Sequence, residues 1–289
     1  MCKIMNNSQL KNIGIIGYPL GHSLSPGMHN YVYKSLAINA RYNKWEVSEL
    51  DLKNEFTRIT NENFIGANVT VPYKEKIIPF LDELDNDSKI TGAVNTILKQ
   101  NGKLLGFNTD IYGIKECLNK KFADNDIDNV VLLGSGGAAK AVMYALLQRG
   151  LKNISIINRT ELNTKQMLDN FKKFKFNSEY LDFDDKDKIN QKCMESNLIV
   201  NTTTIGMKGS MMEGSSPLDI KSINNKNIVF DLVYNPRITK LIEIANNKNA
   251  EIIEGIDMLV YQAIRSIEIW TEITPSFDIM KNKCLELLK

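Results

Sequence analysis

Short apolar stretches alternate with amphipathic ones through the first third of the chain. Residues 12–19 predict a strand, and residues 25–38 predict a helix with Ser25 as its N-cap and Pro26 as its first helical residue. The further elements predicted in this part are strands at 41–47 and 65–71, a helix at 48–59 capped by Ser48, a helix from Pro72, strands at 93–100 and 103–110 joined by an Asn-Gly turn, and a helix at 111–121.

A second series of apolar strands and helices begins at residue 129. Its strands contain few polar residues and are separated by helices, which is typical of a parallel sheet covered on both faces. A last helix begins near Ile256, with apolar residues spaced to make one buried face. The pattern predicts an α/β fold with two domains, residues 1–110 plus 257–289 and residues 111–256, and a ligand site in the cleft between them. The other elements predicted in this series are strands opening at residues 154, 198, 227 and 250, a helix after the glycine-rich stretch that follows the first strand, a helix from Glu161 and a helix at 238–247.

Composition argues against several function classes. Among 289 residues, 36 are basic and 34 acidic, so the net charge of +2 gives no reason to expect nucleic acid or an anionic membrane as a partner. With two histidines in the chain, a histidine metal cluster is not expected. Residues 1–10 lack the apolar core of a signal peptide, and no apolar run reaches membrane-spanning length. The cysteines are far apart, which favours free thiols and a cytoplasmic location; they are Cys2, Cys117, Cys193 and Cys284.

A glycine-rich motif follows the strand that opens the second series. Gly134, Gly136 and Ala139 fit the pattern G-x-G-x-x-[GA] between an apolar strand and a helix. The first glycine permits a tight turn, and the second lets the backbone approach a pyrophosphate that the helix N-terminus attracts. The motif predicts a dinucleotide site, and a glycine turn without a ligand is the structural alternative.

The end of the next strand indicates which dinucleotide is favoured. NAD sites usually carry Asp or Glu there, whereas this strand ends in Asn158, followed by Arg159 and Thr160. A guanidinium can pair with a 2′-phosphate that a carboxylate would repel, so NADP is favoured. Glu161 follows immediately and could reach the ribose, which leaves use of NAD open. In the structural alternative, Arg159 and Glu161 only solvate a loop.

The segment ANVTVPYKE, residues 67–75, contains a candidate acid–base group. If Pro72 begins a helix, Lys74 lies in its first turn, where a cation opposes the helix dipole. A charge in such an unfavourable position is often found at a functional site, although lysines near helix starts are also common on surfaces. Asp110 ends the strand at 103–110, where its carboxylate could hold the ammonium of Lys74. Alone, an aspartate such as Asp110 is more often a helix N-cap, and the segment NTD suits that role.

Nine short motifs follow one another along the chain: GHSLSP at 21–26, GANVTVPYKE at 66–75, GAVNT at 92–96, GFNTD at 106–110, GSGGAAKA at 134–141, NRT at 158–160, NTTTIGM at 201–207, DLVYNP at 231–236 and EGIDMLVYQA at 254–263. In this order they resemble the shikimate dehydrogenase family over nearly the whole chain. The resemblance implies an N-terminal α/β substrate domain, a Rossmann-type NADP-binding domain and an active site in the cleft between them. It also implies reversible NADP-dependent reduction of 3-dehydroshikimate to shikimate, a step toward chorismate and the aromatic amino acids.

The resemblance further implies roles for single residues. Lys74 is implied to be catalytic with Asp110, and Ser23 and Ser25 to hydrogen-bond the substrate carboxylate. The other implied substrate contacts are Thr70, Asn95, Asp110, Tyr234 and Gln262. The implied cofactor contacts are Gly134, Ser135, Gly136, Gly137, Ala138, Asn158, Arg159, Thr160, Leu232 and Gly255.

One position departs from the family pattern. Strict NADP members often carry a second basic residue shortly after N-R-T, where this chain has Asn163, and Lys165 could substitute for it. Glu161 is similar to the acidic residue of relatives that use both cofactors and accept quinate.

Other functions fit parts of the pattern. A quinate/shikimate dehydrogenase using NAD or NADP would carry the same motifs. A methylenetetrahydrofolate dehydrogenase shares the domain order, but HSLSP and NTD argue against it. A non-catalytic paralogue acting as a small-molecule binding protein would be expected to lack Lys74 or Asp110, and both are present. The expected partner is a small-molecule substrate. The chain is expected to be a monomer or a homodimer.

Overall fold

The computed structural model describes residues 9–61, 63–122 and 127–289. By its internal contacts the chain divides into two compact units. The first extends to Gly113 and includes Val260–Lys289, and the second comprises Ile114–Leu259.

The first unit is built on a mixed six-stranded sheet. Its strands are β1 (Lys11–Gly17), β2 (Ala40–Glu46), β3 (Phe64–Val69), β4 (Glu83–Leu84), β5 (Thr96–Gln100) and β6 (Lys103–Phe107), and its first helices are α1 (Ser25–Ser35), α2 (Leu52–Asn61) and α3 (Asn86–Thr91). The next helix, α4 (Thr109–Asn119), begins in the first unit and ends in the second. The strand order is β2-β1-β3-β5-β6-β4, in which β1 pairs in parallel with β2 and β3 while β5 is antiparallel to β3 and β6. The predicted hairpin is confirmed, with positive φ angles of 52° at Asn101 and 80° at Gly102.

No helix begins at Pro72, contrary to the prediction. The Val71–Pro72 peptide bond is cis, residues 71–77 form turns, and a 3₁₀ turn follows at Ile78–Phe80. Tertiary contacts take up the backbone groups that a helix would need, since the carbonyl of Lys74 accepts from the Val94 N–H at 2.8 Å. The argument that a helix dipole opposes the charge of Lys74 is therefore wrong.

Two predicted helix caps are also wrong. Leu24 is the N-cap of α1, with helical angles of φ −80° and ψ −17°, so Ser25 is already the first helical residue and makes no cap bond. α2 begins at Leu52, four residues after Ser48. The hydroxyl of Ser48 donates to Asp51 Oδ2 at 2.7 Å instead of accepting from a helix N–H.

The second unit is built on a six-stranded parallel sheet, as the apolar strands predicted. Its strands are β7 (Asn129–Leu133), β8 (Asn153–Ile157), β9 (Asn177–Leu181), β10 (Leu198–Asn201), β11 (Ile228–Asp231) and β12 (Glu251–Glu254), and its helices include α5 (Gly137–Leu147), α6 (Glu161–Asp169), α7 (Lys186–Glu195) and α8 (Lys240–Asn247). The order β12-β11-β10-β7-β8-β9 is that of a doubly wound dinucleotide-binding fold, whose ligands bind where the strand order reverses, between β7 and β10.

Several elements escaped prediction because their sequences carry little apolar pattern. The edge strand β9 is exposed over its first half, and α7 buries two of its ten residues, Ile189 and Cys193. The predicted helix near Ile256 is α9 (Gly255–Thr271), but α10 (Phe277–Leu287) follows it.

Cysteines, metal sites and membrane spans can be assessed within the described ranges. Cys117, Cys193 and Cys284 are buried and form no disulfide among the described residues, outside which Cys2 lies. In this part of the chain, no helix has the length and apolar character to cross a membrane, and no group of His, Cys, Asp and Glu could hold a metal ion.

Trp270 fixes α9 against the sheet of the first unit. Its indole N–H donates to the Ile97 carbonyl at 2.8 Å. The indole lies over Gly66 of β3, where an added Cβ would collide with the indole nitrogen and with the Ile97 carbonyl. Gly66 is therefore required for this close approach, which sets the position of the preceding turns of α9.

We expect Gly66→Ala to lower the free energy of unfolding by about 1–3 kcal/mol, because the methyl group overpacks a closed site. Gly21→Ala is the matched control, since a Cβ at Gly21 would meet nothing within 4 Å, and it should change stability by less than about 1 kcal/mol. Urea unfolding followed by tryptophan fluorescence measures both. Equal midpoints for the two variants would contradict the close packing of Trp270 on Gly66.

Candidate functional site

Strand order brings the candidate residues of the first unit to one edge of its sheet. β1, β3 and β6 end at this edge, and β5 begins there because it runs antiparallel to its neighbours. The loop after β1 is tied to the end of β3, since Tyr18 N–H donates to the Val71 carbonyl at 3.1 Å and Thr70 N–H to the Ile16 carbonyl at 2.9 Å. Thr70 and the residues flanking β5 and β6 therefore share one site.

Lys74 and Asp110 form a largely buried ion pair at this edge. The ammonium of Lys74 bonds Asp110 Oδ2, and the two side chains are 17% and 5% exposed. Asp110 lies in the first turn of α4, where the helix dipole favours a carboxylate. Its side chain is directed to Lys74 and Asn95 and not to a backbone N–H, so its contacts are not those of an N-cap.

The amide of Asn95 holds the carboxylate of Asp110 in place. Asn95 Nδ2 donates to Asp110 Oδ1 at 2.7 Å, and Asn95 Oδ1 accepts from the Thr109 N–H at 2.7 Å. A flipped amide would set oxygen against the carboxylate and nitrogen against the N–H, so these contacts fix its orientation. Asn95 is 3% exposed and acts on Asp110 as well as facing the site.

A buried cluster of hydroxyl and amide groups supports Asn95, and the sequence did not reveal it as a unit. Ser266 Oγ lies 2.9 Å from Thr96 Oγ1 and 3.1 Å from Thr109 Oγ1, and it accepts from Asn68 Nδ2 at 3.0 Å. The signal available was weak: Asn68 shares a strand face with Thr70, and Ser266 lies one helical turn after Gln262.

Two serines lie in the loop and first turn that follow β1. The hydroxyl oxygen of Ser23 is buried and has no hydrogen-bond partner in the described part of the chain. Ser25 is 5% exposed, at the first turn of α1. An orphaned buried hydroxyl beside a helix N-terminus suits an anionic group of a ligand, since both supply donors.

Gln262 and Tyr234 are placed by different units. Gln262 is 7% exposed on α9, and its Oε1 lies 3.4 Å from Asn95 Nδ2, which brings it to the Lys74–Asp110 pair. Tyr234 follows β11 in the second unit.

The glycine-rich turn of the second unit fits a dinucleotide pyrophosphate. Gly134 has a φ of +101°, and an added Cβ there would collide with Thr202 Oγ1 at 2.7 Å. At Gly136 an added Cβ would meet nothing within 4 Å, so the backbone is open to a ligand. α5 begins directly at Gly137, which directs its free N–H groups toward this turn. Ser135 lies between the two glycines of the turn, and Ala138 is the second residue of α5.

The segment after β8 is locked to the glycine-rich turn and leaves one cation unpaired. Asn158 Nδ2 donates to Ser135 Oγ at 2.8 Å and to the Thr160 carbonyl at 2.9 Å. Arg159 is exposed, with no hydrogen-bond or ion-pair partner among the described residues. Glu161 is paired with Lys165 at 2.9 Å on the exposed face of α6. Lys165 is thus engaged with Glu161, and Arg159 is the free cation of this segment.

Leu232 and Gly255 are brought together by the close approach of two backbones. A Cβ at Gly255 would lie 2.5 Å from the Leu232 carbonyl oxygen and 2.7 Å from that of Asp231. Gly255 therefore has no room for a side chain, and the loop after β11 packs on the start of α9.

Three family models match the chain. The model described as "Shikimate dehydrogenase substrate binding domain" matches residues 15–97, "Shikimate / quinate 5-dehydrogenase" matches residues 116–257, and "Shikimate 5'-dehydrogenase C-terminal domain" matches residues 255–285.

Individual relatives agree with these models. The "Shikimate dehydrogenase (NADP(+))" of Carboxydothermus hydrogenoformans is 40% identical over 276 residues, covering 95% of this chain and 96% of the relative. Shikimate 5-dehydrogenase from Thermus thermophilus, solved with NADP(H) and shikimate, has a TM-score of 0.84 and 29% identity, covering 96% of this chain and 100% of that one. Quinate dehydrogenase from Corynebacterium glutamicum, solved with NAD, has a TM-score of 0.86 and 26% identity, covering 96% and 99%. On its sequence and its structure, the chain belongs to the shikimate dehydrogenase family.

Proposed function

We propose that this protein catalyses the reversible NADP-dependent reduction of 3-dehydroshikimate to shikimate, a step in aromatic amino acid biosynthesis. The observation that carries the proposal is the buried pair of Lys74 and Asp110 at the edge of the sheet where the other polar candidates converge. An ammonium held in this way can give a proton to a carbonyl oxygen and take it back in the reverse reaction.

Lys74 and Asp110 are the proposed catalytic residues. A bound nicotinamide cofactor supplies the hydride to the carbonyl carbon. As the carbonyl oxygen gains charge, Lys74 Nζ donates a proton to it while Asp110 holds the ammonium in position, and water afterwards returns a proton to the neutral Lys74 amine. Asn95 keeps the carboxylate turned toward Lys74 through its bond to Asp110 Oδ1.

The remaining polar groups are proposed to select the substrate. Ser23 and Ser25 bind its carboxylate, for which the unsatisfied hydroxyl of Ser23 is the supporting observation. Thr70, Gln262 and Tyr234, together with Asn95 and Asp110, bind ring hydroxyls. Buried polar groups that would be left unpaired discriminate strongly against a ring lacking a hydroxyl.

For the cofactor, we propose that the turn Gly134–Ala138 binds the pyrophosphate. Asn158, Arg159 and Thr160 bind the adenosine end, and Leu232 and Gly255 line the nicotinamide pocket. The unpaired guanidinium of Arg159 supports a 2′-phosphate ligand, since a free cation can pair with it in a bidentate way. Glu161 is neutralised by Lys165, which reduces its repulsion of that phosphate.

One observation favours a second candidate, a quinate/shikimate dehydrogenase that also uses NAD. Glu161 stands next to Arg159 at the adenosine end, and its carboxylate would bind a ribose 2′-hydroxyl if Lys165 released it. A cytoplasmic location and a monomeric or homodimeric state stay predictions.

A four-way assay tests the function: shikimate and quinate, each with NADP and with NAD, followed by nicotinamide absorbance. We expect shikimate with NADP to give the highest kcat/KM. A preference for quinate or for NAD would support the second candidate, and no turnover with any pair would contradict both.

Lys74→Ala should lower kcat by about 10²- to 10⁴-fold, the usual contribution of a positioned acid–base group, with a much smaller change in the KM for shikimate. Lys76→Ala is the matched control, because Lys76 is exposed and pairs with Glu49 at 2.5 Å. A Lys74→Ala enzyme with nearly normal turnover would remove Lys74 from the reaction.

Arg159→Ala should weaken NADP binding by about 1.5–3 kcal/mol, roughly 10- to 150-fold, because it loses a hydrogen bond between charged groups. NAD affinity should scarcely change, since NAD lacks the 2′-phosphate. Lys172→Ala removes an equivalent exposed charge that pairs with Asp169, and it should affect neither dissociation constant. Equal losses for NADP and NAD in Arg159→Ala would show that Arg159 supports the loop instead.

A further inference from the structure

Asp231 is a fully buried carboxylate at the end of β11, with 0% of its surface exposed. Its Oδ1 accepts from Asn201 Nδ2 at 2.9 Å and from the Val233 N–H at 3.1 Å, and its Oδ2 accepts from the Thr239 hydroxyl at 2.6 Å. These three donors belong to three different segments, so one side chain joins the end of β10, the loop after β11 and the N-cap of α8.

The segment after β10 extends this network toward the glycine-rich turn. Asn201 Oδ1 accepts from the Thr203 N–H at 3.0 Å and from its hydroxyl at 2.7 Å. Between these two residues, Thr202 donates to the Leu133 carbonyl from its N–H at 3.0 Å and from its hydroxyl at 2.6 Å. Since Leu133 immediately precedes Gly134, the network reaches the edge at which the strand order reverses.

The loop after β11 is held from both sides. The Val233 N–H that donates to Asp231 lies between Leu232 and Tyr234, and Gly255 packs against the Leu232 carbonyl. A change in the hydrogen bond between Asp231 and the Val233 N–H would therefore shift the adjacent residues Leu232 and Tyr234.

The hydrogen-bond donors around Asp231 are neutral. The charged residues of the neighbouring segments pair with each other, Arg237 with Glu254 at 2.9 Å and Lys240 with Glu243 at 2.8 Å. Glu254 is the register partner of Asp231 on β12, and Tyr234 is the other titratable group of the loop. Burial raises the pKa of Asp231 from 3.8 to about 6, and the bonds from Thr239, Val233 and Asn201 counteract only part of that shift.

We propose that ionised Asp231 is a positioning residue of the dinucleotide site, which sets the loop of Leu232 and Tyr234 against the Thr202–Thr203 segment. The inference rests on the proposed cofactor binding by the second unit. A carboxylate accepts all three bonds at once, whereas a neutral acid must itself donate at one oxygen and accepts more weakly at the other. Protonation therefore loosens the Val233 and Asn201 anchors and weakens dinucleotide binding.

Stability should respond to pH in the opposite sense to binding. Because the folded state raises the pKa of Asp231, the stabilising contribution of this group is complete below about pH 3.8 and is lost as pH rises through about 6. Ionised Asp231 is thus the form that favours cofactor binding, whereas protonated Asp231 is the form that favours folding stability. Replacing a residue with a merely structural role would lower affinity and stability together.

The test compares the dissociation constant of NADP⁺ for the wild type and for Asp231→Asn, whose amide has the shape and charge of the protonated acid. At pH 7.5 we expect Asp231→Asn to bind about fivefold more weakly, with a melting temperature that is not lower. At pH 5.0, where about one wild-type carboxylate in eleven is ionised, the two constants should agree within about twofold. Titration of the ligand phosphate cancels, because both proteins bind the same ligand at each pH.

Glu243→Gln is the matched control, because it removes an exposed negative charge from α8, and it should bind NADP⁺ like the wild type at both pH values. A constant ratio of Asp231→Asn to wild type across pH, or a lower melting temperature accompanying the lost affinity, would overturn the inference. If Asp231→Asn does not fold, wild-type affinity for NAD⁺, which lacks the 2′-phosphate, should still fall about three- to fourfold from pH 7.5 to 5.0, because about one carboxylate in eleven stays ionised at pH 5.0. Constant affinity would overturn the inference. Failure of the wild type to bind NADP⁺ or NAD⁺ would instead contradict the proposed function.

Discussion

The ion pair of Lys74 and Asp110 is the constraint on which the first unit depends. Removing two opposite charges from water is costly, and the cost is recovered only when the remaining hydrogen-bonding capacity is also satisfied. Here Asn95 fills the second oxygen of Asp110, and the start of α4 adds a favourable dipole. The backbone near Lys74 is held as well, because its carbonyl accepts from Val94. Taking away either charge would leave the other buried and unpaired.

The ion pair also depends on hydrogen bonds among the residues that surround it. Asn95 can orient Asp110 because Thr109 fixes its amide, and Thr109 in turn contacts Ser266 on α9. α9 is held in register by Trp270, which needs the bare backbone of Gly66 beneath it. A glycine in a strand and a tryptophan near the end of a helix thus contribute to the geometry of the Lys74–Asp110 pair, which neither of them touches.

Sequence reasoning succeeded where local pattern and tertiary structure demand the same thing. The apolar strands of the second unit predicted a parallel sheet, and Gly134 was predicted from a turn that in fact has a positive φ and no space for a Cβ. It failed where distant partners decide the local structure. The segment after Pro72 has helical spacing, but Val94 takes the carbonyl of Lys74, and Ser48 bonds a carboxylate in place of a helix N–H. The buried cluster of hydroxyl and amide groups around Ser266 joins residues up to 198 positions apart, which no local pattern encodes.

The two units each bury a carboxylate near a proposed ligand site, and they do so with different partners. Asp110 meets the ammonium of Lys74, so charge is balanced by charge. Asp231 meets the neutral donors Asn201, Val233 and Thr239, so its ionisation is opposed by burial and its pKa rises to about 6. A carboxylate with a cation beside it is suited to holding that cation in a fixed position. One with only neutral donors is suited to holding loops, because it binds several segments at once and can release them when it gains a proton.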